Sequence, residues 1–234
     1  MRPPLARRLA AWGVHAFTAS AAVANVLAIL AIARGDVQVA FVAMAYSLLV
    51  DALDGTLARA LEVKRVVPAV DGARLDDVVD FSTYVIVPAV FLLMRALLPD
   101  AVALPVVAAM VAASGYGFAR TDAKTADHFF TGFPSYWNIV VFYLHLLAWP
   151  PALNAAVIAL LTALVFVPFP YVYPSRTPTL RGLTVTLGAV WALACTWLLG
   201  TLDAPSRALV HLTLLYPAYY LGLSLVLWRR RRVS

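Results

Sequence analysis

Five aspartates interrupt two otherwise oily stretches of this 234-residue chain. They lie in Asp51-x-x-Asp54-Gly55-x-x-Ala58-Arg59 and in Gly72-x-x-x-Asp76-Asp77-x-x-Asp80. An ionised carboxylate is costly in a bilayer, so such residues mark function by default. Spacings of three and four place Asp51 with Asp54 on one helix face and Asp76 with Asp80 on another. Two acidic faces meeting across a short turn make a cage of hard oxygen donors. That cage suits Mg²⁺ or Mn²⁺ and, through the cation, a substrate carrying phosphates. Gly55, Ala58 and Gly72 lack bulk and let a ligand or a neighbouring helix approach the backbone. Arg59 adds a planar, permanently charged fork suited to phosphate. Asp77 has two readings, a fifth ligand or a charge at a helix start, where the dipole favours it.

The elements that must position these residues are membrane spans. The chain is 63% hydrophobic and only 13% charged, more apolar surface than a soluble domain of this length can hide. No Gly/Ser-rich linker divides it. The expectation is therefore a single all-α integral membrane domain over 1–234, a polytopic transmembrane helical bundle. Eight spans are expected near 12–33, 38–60, 76–98, 101–119, 134–149, 152–170, 182–200 and 207–228, with the signature segment in 38–98. Trp149-Pro150-Pro151 ends the fifth span, because proline cannot continue the helical ladder. Gly35-Asp36, Pro99-Asp100 and Asp203-Ala204-Pro205 mark other turns. Residues 1–11, with Arg7 and Arg8 among Leu5 and Leu9, read as a short interfacial helix. Cys195 is the one cysteine, which excludes an intramolecular disulfide or a thiolate metal cluster.

The basic residues set the orientation. With a cytoplasmic N-terminus, fifteen of the 18 lysines and arginines fall inside, leaving Arg34, Arg95 and Arg207 outside. The bias fits the positive-inside rule with both termini and the acidic constellation cytoplasmic, as in a bacterial inner-membrane protein. The net charge of +6 is then mainly a topology signal, with some attraction for anionic headgroups. There is no nucleic-acid signature.

The pattern Asp-x-x-Asp-Gly-x-x-Ala-Arg followed by Gly-x-x-x-Asp-x-x-x-Asp resembles the signature of the CDP-alcohol phosphotransferases. Asp51, Asp54, Gly55, Ala58, Arg59, Gly72, Asp76 and Asp80 fill every position. The gap between Arg59 and Gly72, residues 60–71, is longer than in most of that family and resembles the bacterial phosphatidylcholine synthase branch. Similar to that branch are also the stretch Val14-His15-Ala16-Phe17-Thr18-Ala19-Ser20, the run Asp71 to Asp76, and the segment from Thr121 to Asn138. The likeness covers most of the first 145 residues.

The resemblance implies that Asp51, Asp54, Asp76 and Asp80 bind divalent cations, two of Mg²⁺ or Mn²⁺. Asp54, Gly55, Ala58, Arg59, Gly72 and Asp76 would hold the CDP moiety of CDP-diacylglycerol, and Asp80 would take the proton from choline's hydroxyl. Choline has no N–H to donate, so aromatic faces should receive it. The candidates are Tyr84, Tyr116 and Tyr136, with Asp77 or Asp122; aromatics at these depths also form interface belts. Arg120 and Lys124 either hold the donor's lipid phosphate or serve only the charge bias. By their positions in the chain, His15 and His128 fall near the cytoplasmic face and could contact substrate. Family resemblance implies a homodimer. Two alternatives stand beside this reading: another acceptor (serine, glycerol 3-phosphate or inositol), or a cation-coupled transporter, against which the lack of an internal repeat counts.

Overall fold

A computed structural model describes residues 3–123, 125, 129–174 and 176–233, with side chains to 230. The chain forms two compact units, Met1–Arg95 and Ala96–Ser234.

In the first unit, α1 (Leu5–Arg34) and α2 (Val37–Ala60) form an antiparallel hairpin. Gly35 ends α1 at φ 80°, a left-handed conformation that glycine adopts without a Cβ penalty. Asp36 then caps α2, its side chain accepting from the Val39 N–H at 3.1 Å. Small residues on the buried face of α1, among them Ala21, Ala24 and Ala28, let the two helices pack closely. A short helix, α3 (Val63–Val66), lies in the long gap between the two halves of the signature. Next come α4 (Gly72–Phe81), a π-helical turn at Ser82–Ile86, and α5 (Val87–Met94). Together they make one apolar rod, Gly72–Met94. The widened turn directly precedes Pro88, whose missing N–H would interrupt an ordinary α-helical ladder.

A buried polar chain ties the rod to the hairpin. Ser47 Oγ donates to Asn25 Oδ1 at 3.0 Å, Asn25 Nδ2 to Thr83 Oγ1 at 2.9 Å, and Thr83 Oγ1 to the Val79 carbonyl at 3.0 Å. Each group is satisfied within a dry interior, where an unmet partner would be costly.

The second unit holds α6 (Asp100–Ala119), α7 (Trp137–Leu147), α8 (Pro151–Val165), α9 (Arg181–Leu199), α10 (Arg207–Thr213) and α11 (Leu215–Val233). A short strand, β1 (Phe129–Thr131), pairs antiparallel with β2 (Pro170–Val172), Phe130 opposite Tyr171. Helix α6 packs on α8, where Gly117 leaves room for Val165.

Each of the eight expected apolar segments contains a helix, and the fold is an all-α polytopic bundle. Among the described residues, six helical segments are long and apolar enough to cross a membrane: Leu5–Arg34, Val37–Ala60, Gly72–Met94, Asp100–Ala119, Arg181–Leu199 and Arg207–Arg230. The expected fifth and sixth spans are α7 and α8, of 11 and 15 residues. At 1.5 Å per residue they reach only about 16 and 22 Å, short of a hydrocarbon core of about 30 Å. Pro150 and Pro151 end one and begin the other. Residues 5–11 are continuous with α1 rather than a separate element.

Candidate functional site

Asp51 on α2 and Asp76 and Asp80 on α4 come together. One carboxylate oxygen from each lies within 4.8 Å of the other two, and all three side chains are half-buried. The helical spacings explain the convergence. Asp76 and Asp80 are one turn apart on α4, and α4 starts on a fixed residue because Asp71 caps it, accepting from the Ala73 and Arg74 N–H groups. Three convergent carboxylates offer a hard divalent cation the donors it prefers. A partner for the set comes from one turn further along: Tyr84 Oη donates to Asp51 Oδ2 at 2.5 Å. Such a bond fixes a carboxylate's direction without cancelling its charge.

Asp54 is the fourth carboxylate of the expected ligand set, and it stands apart from the convergent three. It is buried, and Thr18 Oγ1 on α1 donates to its Oδ2 at 2.9 Å. Asp54 and Asp76 both line a cavity of about 680 Å³. Gly55, Ala58, Arg59 and Gly72 line the same cavity. All six residues read from the sequence as a nucleotide pocket therefore share one concave space, of a size usual for small-molecule sites. A Cβ at residue 55 would stand 3.2 Å from Arg59 Nη1, the movable end of a long side chain. The guanidinium folds back over the helix at that point, and Arg59 Nη2 donates to Thr56 Oγ1 at 3.1 Å. The long gap contributes wall as well: Glu62, Val63, Lys64 and Arg65 line the cavity, and Glu62 is held by Arg7 and Arg65.

The other candidates are distributed differently. Asp77 is exposed, outside the convergent three. Tyr84 is buried, with its hydroxyl on Asp51. In the second unit, Tyr116 is exposed and stacked on Phe166 at 5.2 Å, and Tyr136 meets Phe130 edge-on at 6.3 Å. Arg120 and Asp122 engage each other through two bonds, 2.8 and 2.7 Å. The Arg120 hydrogen bond holds Asp122's carboxyl below its usual range, and the same bond raises the guanidinium. Lys124 and His128 lie outside the described residues.

Two participants were not singled out from the sequence, Thr18 as the donor to Asp54 and the Asn25 chain, and Tyr84 was read as a choline-site ring rather than as the donor to Asp51. A signal was present. Thr18 and Asn25 are polar residues two helical turns apart in an apolar span, on the face that α1 buries.

No family model matches the chain. Similarity to curated proteins is extensive. The phosphatidylcholine synthase of Legionella pneumophila is 41% identical, over 96% of this chain and 91% of the relative. That of Bradyrhizobium diazoefficiens is 40% identical, over 96% and 83%. That of Pseudomonas aeruginosa is 36% identical, over 95% and 92%.

Proposed function

We infer the chemistry from one premise: the chain belongs to the phosphatidylcholine synthase family. It is a membrane transferase of phospholipid biosynthesis that moves the phosphatidyl group of CDP-diacylglycerol to choline, giving phosphatidylcholine and CMP. The residue roles below are our reading. The observation that carries them is the convergence of Asp51, Asp76 and Asp80 beside the cavity that holds Asp54 and Arg59.

The half-buried carboxylate set fits divalent cations, and we assign two of Mg²⁺ or Mn²⁺ to Asp51, Asp54, Asp76 and Asp80. When bound, the cations neutralise the donor's pyrophosphate and the charge that develops on departing CMP. Arg59 holds a phosphate by its fork, and Gly55, Ala58 and Gly72 keep the wall clear for the nucleotide. Thr18 and Tyr84 keep Asp54 and Asp51 aimed. Asp80 takes the proton of choline's hydroxyl as that oxygen bonds to the lipid-side phosphorus. The phosphorus–oxygen bond to CMP breaks in the same displacement, and CMP leaves with the electron pair.

The quaternary ammonium is received by aromatic faces. Tyr84 is the first choice because it adjoins the carboxylates, with Tyr116, Tyr136, Asp77 and Asp122 as the remaining set read from the sequence. Arg120 and Lys124 are assigned to the donor's lipid phosphate; for Arg120 this means exchanging Asp122 for phosphate. We place the protein in the bacterial inner membrane with both termini and the site cytoplasmic, which the lysine and arginine bias supports. A homodimer belongs to the same reading.

The test is CMP release by purified protein in detergent, stripped with a chelator and then given Mg²⁺ or Mn²⁺. CDP-diacylglycerol with choline should turn over only with the cation restored. Turnover of serine or glycerol 3-phosphate without turnover of choline would overturn the acceptor. Turnover that survives chelation would overturn the cation roles.

A further inference from the structure

One polar edge in the wall of the cavity is left without a partner. His15 on α1 is 6% exposed and lines the cavity, and its Nε2 meets no hydrogen-bond partner among the described residues. A dry, unmet nitrogen is destabilising in an apolar setting, and folded chains keep such an atom where something else completes it. The ring is held in place. Trp12 meets it edge-on at 5.9 Å between centroids. A Cβ at residue 72 would stand 3.2 Å from His15 Cε1. The glycine of the second signature half thus seats the imidazole as well as clearing the wall.

The lining is chemically mixed, and Glu62, Lys64, Arg65 and Asp71 add charge to it. Asp54 and Asp76 mark the end next to the convergent carboxylates, and Arg59 offers the phosphate contact. Another part of the lining is aliphatic, with Val14, Val63, Val70 and Ala58 drawn from one hydrophobic cluster. Aliphatic faces together with a single imidazole nitrogen suit a flat ring with a polar edge. In the donor only the pyrimidine base has that form; phosphates lack the face and acyl chains lack the edge.

We propose that His15 Nε2 hydrogen-bonds the edge of the donor's base and makes the pocket prefer cytosine to uracil. The proposal rests on the reading that this cavity takes a cytidine nucleotide. The two bases differ where it matters: cytosine presents an amine and a bare ring nitrogen, uracil a carbonyl and an N–H. An imidazole fixed in one tautomer offers Nε2 either as donor or as acceptor. Each edge carries one donor and one acceptor, so the choice is made by position: held against one ring position, position 3 or position 4, Nε2 in one tautomer pairs with cytosine and meets a like group in uracil.

The experiment titrates CDP and UDP into the full-length protein with Mg²⁺ by calorimetry, and measures turnover of CDP- and UDP-diacylglycerol with choline. Wild type should bind CDP more tightly than UDP. His15→Leu should weaken CDP about tenfold and UDP less than about twofold, so that the preference collapses. The KM for CDP-diacylglycerol should rise about tenfold while kcat moves less. His15→Gln, which keeps both a donor and an acceptor, should recover part of the preference. His15→Ala is made alongside, and melting in detergent identifies the variants that fold.

A preference that survives in a folded His15→Leu or His15→Ala would overturn the proposal. So would equal loss for both nucleotides with no rescue by His15→Gln, which marks a packing role, or a wild type that binds the two equally. The binding arm needs no turnover. A wild type that binds CDP selectively through His15 but releases no CMP with choline would sink the assigned reaction and leave this inference standing.

Discussion

In the first unit the carboxylates with catalytic promise receive hydroxyls: Thr18 on Asp54 and Tyr84 on Asp51. In the second unit Asp122 receives a guanidinium through two short bonds. The difference is physical. A hydroxyl orients a carboxylate and leaves its charge to attract a cation, whereas an arginine cancels that charge. The first arrangement leaves carboxylate charge available, and the second closes an ion pair at the end of α6. The partners in the first unit also come from afar in the chain, 36 and 33 residues away, against two residues for Arg120 and Asp122.

The comparison breaks most sharply at Asp80. Asp80→Asn keeps the shape and removes the proton acceptor together with one charged cation ligand, so kcat should fall by about 10³-fold or more. CDP binding should stay within a few-fold and the melting temperature should be unchanged. Single-turnover CMP release with parallel calorimetry reads both quantities. Near-normal turnover would remove Asp80 from the role of base.

Next in size is the Thr18–Asp54 pair. Asp54→Ala should weaken both the cation and the donor. Thr18→Val leaves the carboxylate in place but takes away a bond to a charged group, of the kind that contributes about 1.5–3 kcal/mol. The KM for CDP-diacylglycerol should rise by about ten- to a hundredfold, and Thr18→Ser should restore it. Failure of the serine variant to rescue would mean that the methyl group of Thr18, not its hydroxyl, matters.

Tyr84→Phe should be milder. The concentration of Mn²⁺ or Mg²⁺ giving half-maximal turnover should rise about tenfold, the lower end of what outer partners of metal ligands contribute. If the choline KM rises instead while the metal dependence stays put, Tyr84 acts through its ring on the acceptor rather than through its hydroxyl on Asp51.

What could be read from the sequence follows the range of the interactions. The α1–α2 turn was legible at Gly35-Asp36 because a left-handed glycine and a capping aspartate act within a few residues. The pairing of Asp76 with Asp80 was legible because a helix repeats every 3.6 residues. That the acidic faces of α2 and α4 meet was inferred from the signature, and three of its four carboxylates do converge. That Asp54 falls outside the convergent three was not legible, nor was its bond from Thr18 on another helix, 36 residues away. Nor was the β1–β2 pairing, whose strands of three residues lie some forty residues apart and carry no periodic pattern. The lengths of α7 and α8 escaped for another reason. Hydropathy alone extends a helix through any apolar run: the stop at Pro150-Pro151 was legible, but α7 starts at Trp137 and turns left-handed at Ala148, and α8 ends at Val165.

The smallest effect is expected at Arg120, and it tests the comparison from the other side. The guanidinium keeps the Asp122 carboxyl below the usual carboxylate range. The pair is therefore intact at neutral pH and is lost only as pH falls through that lowered value. Asp122 is largely exposed, so solvent and salt screen the attraction. Asp122→Asn should leave the melting temperature nearly unmoved and free Arg120 for other anions. Were the guanidinium engaged only with Asp122, Arg120→Gln would change the KM for CDP-diacylglycerol by less than about twofold. A role on the lipid phosphate predicts a rise in the Arg120→Gln variant that steepens at low salt, together with a fall in Asp122→Asn. That pair of opposite shifts would show the second unit supplying charge to the reaction, its carboxylate restraining an arginine in the way that Thr18 and Tyr84 restrain carboxylates in the first.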